Sequence, residues 1–128
     1  MTDPLFSGRR VLVVEDEMLV AMDLEDMLAE LGCAVIGPAA TVAEALEMIE
    51  TGAALDAAVL DVNLHGLKSY PVADELAARG VPVVFSTAYG KRSLDEKYSE
   101  VPLLQKPFGP HALRDCVASL LGQGGTGA

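Results

Sequence analysis

Four apolar runs in this chain each end in residues able to do chemistry. Val13-Val14 runs into Glu15-Asp16-Glu17, and Val59-Leu60 runs into Asp61. Val84-Phe85 runs into Ser86-Thr87-Ala88, and Leu103-Leu104-Gln105 into Lys106-Pro107-Phe108. Carboxylates at contact distance repel, and burial raises the cost of keeping all of them charged. A shared proton or a bound cation resolves that conflict. Carboxylates joined by a backbone carbonyl and water make a hard oxygen site, which suits Mg²⁺, with Mn²⁺ as the alternative. The chain offers no His and Cys cluster of the kind zinc requires. A Thr hydroxyl can donate one hydrogen bond, and a Lys ammonium is a strong point charge. Together with a cation they describe a pocket for a phosphoryl group carried on one carboxylate, a known class of covalent intermediate. Phosphoryl transfer depends on positioning and on neutralising oxygen charge. Taken singly, each residue has a plainer reading. A strand-end acid is solvated or caps the next helix, a Thr closes a turn, and a Lys sits in water.

The elements that would bring these residues together are legible as periodic patterns. The run at 10–14 is continuous and apolar, as in a strand buried on both faces. Val20, Leu24, Met27, Leu28 and Leu31 then fall on one helical face, with Met18, Met22 and Met27 read as helix packing. Gly32 stops that helix. Residues 33–36 form a second short strand, ended by Gly37-Pro38. Thr41 and Glu44 make a capping box for a helix that Gly52 closes. Residues 57–61 are a third strand and 62–68 a loop. Ser69-Tyr70-Pro71 opens a helix that ends at Gly80. A fourth strand is expected at 81–85 and a fifth at 102–105. Between them, Leu94 and Tyr98 are the only large apolar residues of 91–99, so a helix capped by Ser93 and Glu96 would be weak. Leu113, Val117, Leu120 and Leu121 mark a last helix.

Strands alternating with helices imply a parallel sheet covered on both faces and wound right-handed. Ligands of such sheets bind beyond the carboxyl ends of the strands. All four motifs lie there. The composition is consistent with this picture. The chain has 128 residues, 9 Lys plus Arg against 19 acids, and a formal net charge of −10. That surplus excludes a nucleic-acid or anionic-membrane surface, both of which need clustered cations. No apolar run approaches the roughly 20 residues of a membrane span and no signal peptide opens the chain, so a soluble cytoplasmic protein is expected. Cys33 and Cys116 read as small buried hydrophobes. His65 reads as a solvated loop residue near the site, and His111 as a surface residue of the last helix.

The ordered motifs resemble response-regulator receiver domains of two-component signalling, over residues 8–121. The resemblance implies a flavodoxin-like, doubly wound α/β fold. Its five-stranded parallel sheet would have the order 2-1-3-4-5, with five helices, the fourth short or weak. It implies a receiver domain at 1–121 and a flexible Gly-rich tail at 122–128. Asp61 then resembles the Asp phosphorylated by a sensor histidine kinase or histidine phosphotransfer protein. Asp16 resembles the direct metal ligand, Glu15 the outer acid acting through metal-bound water, and the Asn63 backbone carbonyl a third ligand. Thr87, followed by the small Ala88, would hydrogen-bond the phosphoryl oxygen, and Lys106 would pair with the phosphate. The family's Lys-Pro bond is usually cis, which implies a cis bond between Lys106 and Pro107.

The chain departs from the common pattern in three places. Leu103 stands where the family's switch aromatic usually lies. Phe85-Ser86-Thr87-Ala88-Tyr89-Gly90 resembles the Phe-Ala-Thr-Gly-Tyr-Gly motif of a receiver subfamily, in which Tyr89 is the candidate replacement switch. Only 18 residues separate Thr87 from Lys106, which leaves little room for a full helix and a strand. The segment Tyr89 to Ser99 is therefore expected to be mobile and to meet a downstream protein partner. With only the tail after Leu121, a stand-alone switch is expected rather than an enzyme, with at most slow Mg-dependent self-dephosphorylation. The alternative is a haloacid-dehalogenase-like phosphatase with Asp61 as nucleophile. That class wants a second acid where this chain has Asn63, and usually a longer chain.

Overall fold

The computed structural model describes residues 4–52 and 54–125. Five parallel strands form the sheet: β1 (Arg10–Val14), β2 (Ala34–Ala39), β3 (Ala57–Asp61), β6 (Val83–Thr87) and β7 (Leu103–Gln105). Their order is β2-β1-β3-β6-β7. Two further strands, β4 (Asn63–Leu64) and β5 (Leu67–Lys68), make a small antiparallel hairpin after β3. With the hairpin set aside, the order is the expected 2-1-3-4-5. Among the described residues, four α-helices cover the sheet: α1 (Met18–Leu31), α2 (Val42–Glu50), α3 (Tyr70–Ala78) and α4 (Pro110–Gly125).

Alternation along the central strands explains why both faces must be covered. Leu12 and Val14 of β1 point into one core with α2 and α3 residues such as Ile49 and Leu76. Val11 and Val13 point into the other, with Leu24 and Leu28 of α1 and Leu113, Val117, Leu120 and Leu121 of α4. A strand with both faces buried reads as a continuous apolar run, which is why periodicity 2 is invisible in the sequence. The helix ends follow the local chemistry. Gly32 takes a left-handed φ of 104° and its N–H bonds back to Ala29. Thr41 accepts the Glu44 N–H at 3.1 Å, and the Glu44 carboxylate accepts from Ala40 N–H and the Thr41 hydroxyl.

Several local expectations are corrected. Strand β2 does not end at Gly37-Pro38 but runs through a cis Gly37–Pro38 bond to Ala39. Gly37 and Pro38 bulge against β1, where the register shifts between Leu12 and Val14. Proline, which cannot donate to a ladder, is tolerated at a bulge on an edge strand. Gly37 is required there: its φ is 100°, and a Cβ would lie 2.9 Å from the Val13 carbonyl oxygen. Strand β6 is shifted two residues later than expected, so Ser86 and Thr87 belong to the strand itself. Residues 62–68 contain the β4–β5 hairpin. Met18 and Met22 do not pack; they are 76% and 53% exposed, because the buried stripe of α1 runs through Ala21, Leu24 and Leu28. The expected fourth helix is reduced to two 3₁₀ turns, Lys91–Ser93 and Glu96–Tyr98. Ser93 does not cap Glu96; its hydroxyl donates to the Gly90 carbonyl at 2.6 Å. The lead-in before β1 also contributes to the core: Phe6 is buried among α4 residues, with the Arg114 guanidinium 5.9 Å from its ring centre. Helix α4 continues to Gly125, into the stretch expected to be a tail, and 126–128 lie outside the described residues. No helix among the described residues is long and apolar enough to cross a membrane.

Candidate functional site

The carboxyl ends of β1, β3, β6 and β7 meet at one edge of the sheet, and each delivers one of the residues singled out by sequence. Glu15 follows β1, and its backbone N–H bonds to the Ala39 carbonyl at 2.9 Å. The extension of β2 through Pro38 thus fixes where Glu15 begins. Asp61 is the last residue of β3 and pairs in register with Ser86. Thr87 is the last residue of β6, and Lys106 follows β7 with its N–H on the Thr87 carbonyl at 2.8 Å. The Lys106–Pro107 bond is cis.

Glu15, Asp16 and Asp61 each offer a carboxylate oxygen within 4.8 Å of the others. Glu15 and Asp61 are buried, and Asp16 is partly exposed. The Lys106 ammonium donates to Glu15 Oε1 at 2.7 Å and to Asp61 Oδ2 at 3.2 Å. Each acid is also held by a backbone donor. Glu15 Oε2 accepts from Glu17 N–H at 3.1 Å, Asp61 Oδ1 from Asn63 N–H at 3.1 Å, and Asp16 Oδ2 from His65 N–H at 3.0 Å. The buried Thr87 hydroxyl accepts from Tyr89 N–H at 3.2 Å. An oxygen occupied in this way keeps its own proton free to donate.

These surroundings set the charge states. Burial pushes the Glu15 carboxyl up to about 7, against the opposing pull of Lys106. Burial also disfavours the Asp16 carboxylate, but hydrogen bonds led by the His65 N–H outweigh it and hold that carboxyl below its ordinary value. Burial opposes the charge on Lys106, yet its hydrogen bond to Glu15 and the attraction of Asp61 outweigh it and raise the ammonium's pKa. The three acids thus converge with one ammonium among them. A divalent cation fits this donor set, which is all oxygen and carries more negative charge than Lys106 offsets.

Asp16 and Asp61 border an open cleft of about 610 Å³ that Thr87, Ala88, Tyr89 and Lys106 also line, while Glu15 is buried behind them. Asn63 lies at its edge as the first residue of β4. Tyr89 reaches the cleft but is 64% exposed, so it is a rim residue rather than part of the floor. Leu103, in the position of the missing aromatic, is half-buried in β7 against the core. His111 is exposed on α4 and away from the cleft lining. Cys33 and Cys116 are free thiols beside the α1–α4 core, and burial pushes both of them up. Sequence reasoning missed the contribution of His65. Its ring is exposed, as expected, but its main chain touches Asp16. A backbone contact of this kind leaves no mark on residue type.

Comparison with known proteins agrees with the geometry. The model of the response regulator receiver domain matches residues 11–118. The transcriptional regulatory protein PdtaR of Mycobacterium tuberculosis is 32% identical over 113 residues, which cover 88% of this chain and 55% of that protein. The phyllosphere-induced regulator PhyR of Methylorubrum extorquens is 39% identical over 105 residues, covering 78% of this chain and 39% of PhyR. The chain thus spans about half the length, or less, of the curated relatives it matches. The solution structure of SdrG from Sphingomonas melonis Fr1 superposes with a TM-score of 0.79 at 45% identity, covering 91% of this chain and 98% of SdrG. The BeF3-activated conformation of SdrG from Pseudomonas melonis Fr1 superposes with a TM-score of 0.78 at 46% identity, covering 90% of this chain and 98% of that chain. By the matching family model, the order of the strands and the acids gathered at their carboxyl ends, this chain belongs to the response regulator receiver domains.

Proposed function

We propose that this chain is a cytoplasmic phospho-acceptor switch that takes a phosphoryl group on Asp61. The donor is a phosphohistidine on a sensor histidine kinase or histidine phosphotransfer protein. An Asp61 carboxylate oxygen attacks phosphorus, the N–P bond breaks, and its electron pair returns to the donor imidazole. The observation that carries this reading is Lys106, whose ammonium touches both the buried Glu15 and Asp61, the latter lining an open cleft. Glu15, Asp16, Asp61 and the Asn63 carbonyl are the groups that would hold Mg²⁺, which when bound supplies charge neutralisation for the phosphoryl oxygens. Lys106 holds the Asp61 carboxylate towards the cleft before transfer and pairs with the new phosphate after it. Thr87 donates its hydroxyl proton to a phosphoryl oxygen.

A macromolecular donor suits the surroundings. Met18, Leu19 and Met22 are exposed at the start of α1, next to Glu15–Glu17; Tyr89 is exposed on the cleft, and Leu67 is exposed between the cleft residues Gly66 and Lys68. Exposed apolar groups around a polar cleft mark a surface for another protein. The downstream partner would read the segment Tyr89 to Ser99, whose exposed start carries Tyr89 while Leu94 and Tyr98 hold its remainder to the core. Neither nucleic acid nor membrane is among the proposed partners. A phosphatase of the haloacid-dehalogenase type gains no support, because Asn63 stands where its second acid would be. Intact-mass measurement with Mg²⁺ and phosphoramidate tests the reading. One phosphoryl group should add to the wild type, none without a divalent cation, and none to Asp61→Asn. Equal uptake by Asp61→Asn would overturn the proposal.

A further inference from the structure

We infer that the His65–Gly66 turn is a positioning clasp for the Asp16 carboxylate and acts through the His65 main-chain N–H; this rests on the proposed cation site. The observations lie in the backbone. Strands β4 and β5 pair with Leu64 opposite Leu67 and Asn63 opposite Lys68, leaving His65 and Gly66 as a two-residue turn. Both take positive φ, 50° and 84°, the combination that suits the twist of a hairpin. His65 is the one non-glycine residue with positive φ among the described residues. A side chain at such a φ is uncommon and calls for a physical reason. The reason is where the N–H points: it donates to Asp16 Oδ2 at 3.0 Å, across 49 residues of chain. The imidazole is exposed, with Nδ1 3.8 Å from the same oxygen.

The clasp does two things at once. It occupies one oxygen of Asp16, so the carboxylate has a fixed orientation and its other oxygen is left for the cluster with Glu15 and Asp61. It also ties Asp16 to the ladder that carries Asn63, the residue next but one to Asp61. The acid after β1 and the backbone carbonyl after β3 are therefore set by one short hairpin. The working group is the peptide N–H, so the turn conformation matters more than the side-chain type. Proline at 65 cannot reach φ 50° and has no N–H. Glycine keeps the N–H and adopts the φ at no steric cost.

The test is Mn²⁺ affinity of the full chain, read by titration with the metal alone and so independent of phosphorylation. His65→Pro should bind at least tenfold more weakly than wild type, and His65→Gly should restore binding to within about twofold. Since His65→Pro could also disturb folding, Gly66→Ala serves as the second variant. It strains the turn, where no atom lies within 4 Å of the added Cβ, and keeps every hydrogen-bonding group. It should weaken binding severalfold with an unchanged circular dichroism spectrum. In the metal-free chain the His65 amide should exchange slowly with solvent, and Asp16→Ala should abolish that protection. Wild-type affinity in both His65→Pro and Gly66→Ala, or a fast-exchanging His65 amide, would overturn the clasp alone. Failure of the wild type to bind any divalent cation would overturn the cation site and the clasp with it.

Discussion

Glu15 is the residue on which the electrostatics of this site turn. It is buried, it accepts from Lys106, and it is still pushed up to about 7 from an ordinary 4.5. The folded carboxyl therefore holds its proton at pH values where the unfolded chain has lost it. Between the two values the folded state binds more protons, so stability falls as pH rises. The contribution is fully present below the unfolded value and is gone above the folded one. Without metal, the melting temperature of the wild type should fall, relative to Glu15→Gln, as pH rises from about 5 to 8. Saturating Mg²⁺ should flatten the difference, since a cation favours the ionised carboxyl. A wild-type melting temperature that rises relative to Glu15→Gln over the same pH range would contradict the burial-dominated shift. The acids themselves were readable from sequence, because their types and their places after apolar runs are features of the chain. The main-chain groups that fix them were not: the Ala39 carbonyl accepts from Glu15 N–H, and the N–H groups of Glu17, Asn63 and His65 donate to the three carboxylates.

Among the elements, the segment between β6 and β7 departs furthest from a regular helix. Its two 3₁₀ turns are held by aromatic contacts rather than by a helical ladder. The Tyr98 ring stacks on Tyr70 with centroids 4.1 Å apart, and both meet the Phe85 ring edge-on. The Tyr98 hydroxyl donates to Asp74 Oδ1 at 2.8 Å, and the Tyr70 hydroxyl accepts from Asp95 N–H at 3.0 Å. Tyr98→Phe should therefore cost about 1 kcal/mol, and Tyr98→Ala about 3 kcal/mol, in urea unfolding. The alanine change should also speed amide exchange across 91–98. Tyr89→Ala, on the exposed rim, should leave stability within about 0.5 kcal/mol and alter partner binding more than Leu103→Ala does. Equal effects on partner binding would count against Tyr89 as the switch. The sequence marked this stretch as a poor helix through its sparse apolar pattern. It could not reveal that Leu94 and Tyr98 are core residues, since their partners lie in α3 and β6. Strand β2 escaped for a related reason: Gly37-Pro38 is turn chemistry locally, and only pairing with β1 turns it into a bulge.

At the scale of the whole molecule, a parallel sheet with two buried faces brings four strand ends to one edge, and the chemistry follows from that convergence. The alternation of elements was enough to bring these four strand ends to one edge, because strand order and crossover hand leave few arrangements. It did not reveal Phe6, a single aromatic in a polar lead-in that completes the α1–α4 core. The net charge of −10 is spread largely over exposed helix surface, while the acids at the sheet edge are few and partly offset by Lys106. The central claim is that Asp61 carries the phosphoryl group, and it can be read directly by reductive trapping. Borohydride converts an aspartyl phosphate to homoserine, so peptide mapping after phosphoramidate and Mg²⁺ treatment locates the modified acid. Homoserine at position 61 and nowhere else is the expected result. Homoserine at Asp16 or another Asp, the corresponding longer alcohol at Glu15, or phosphoryl uptake that leaves residue 61 unreduced, would contradict it.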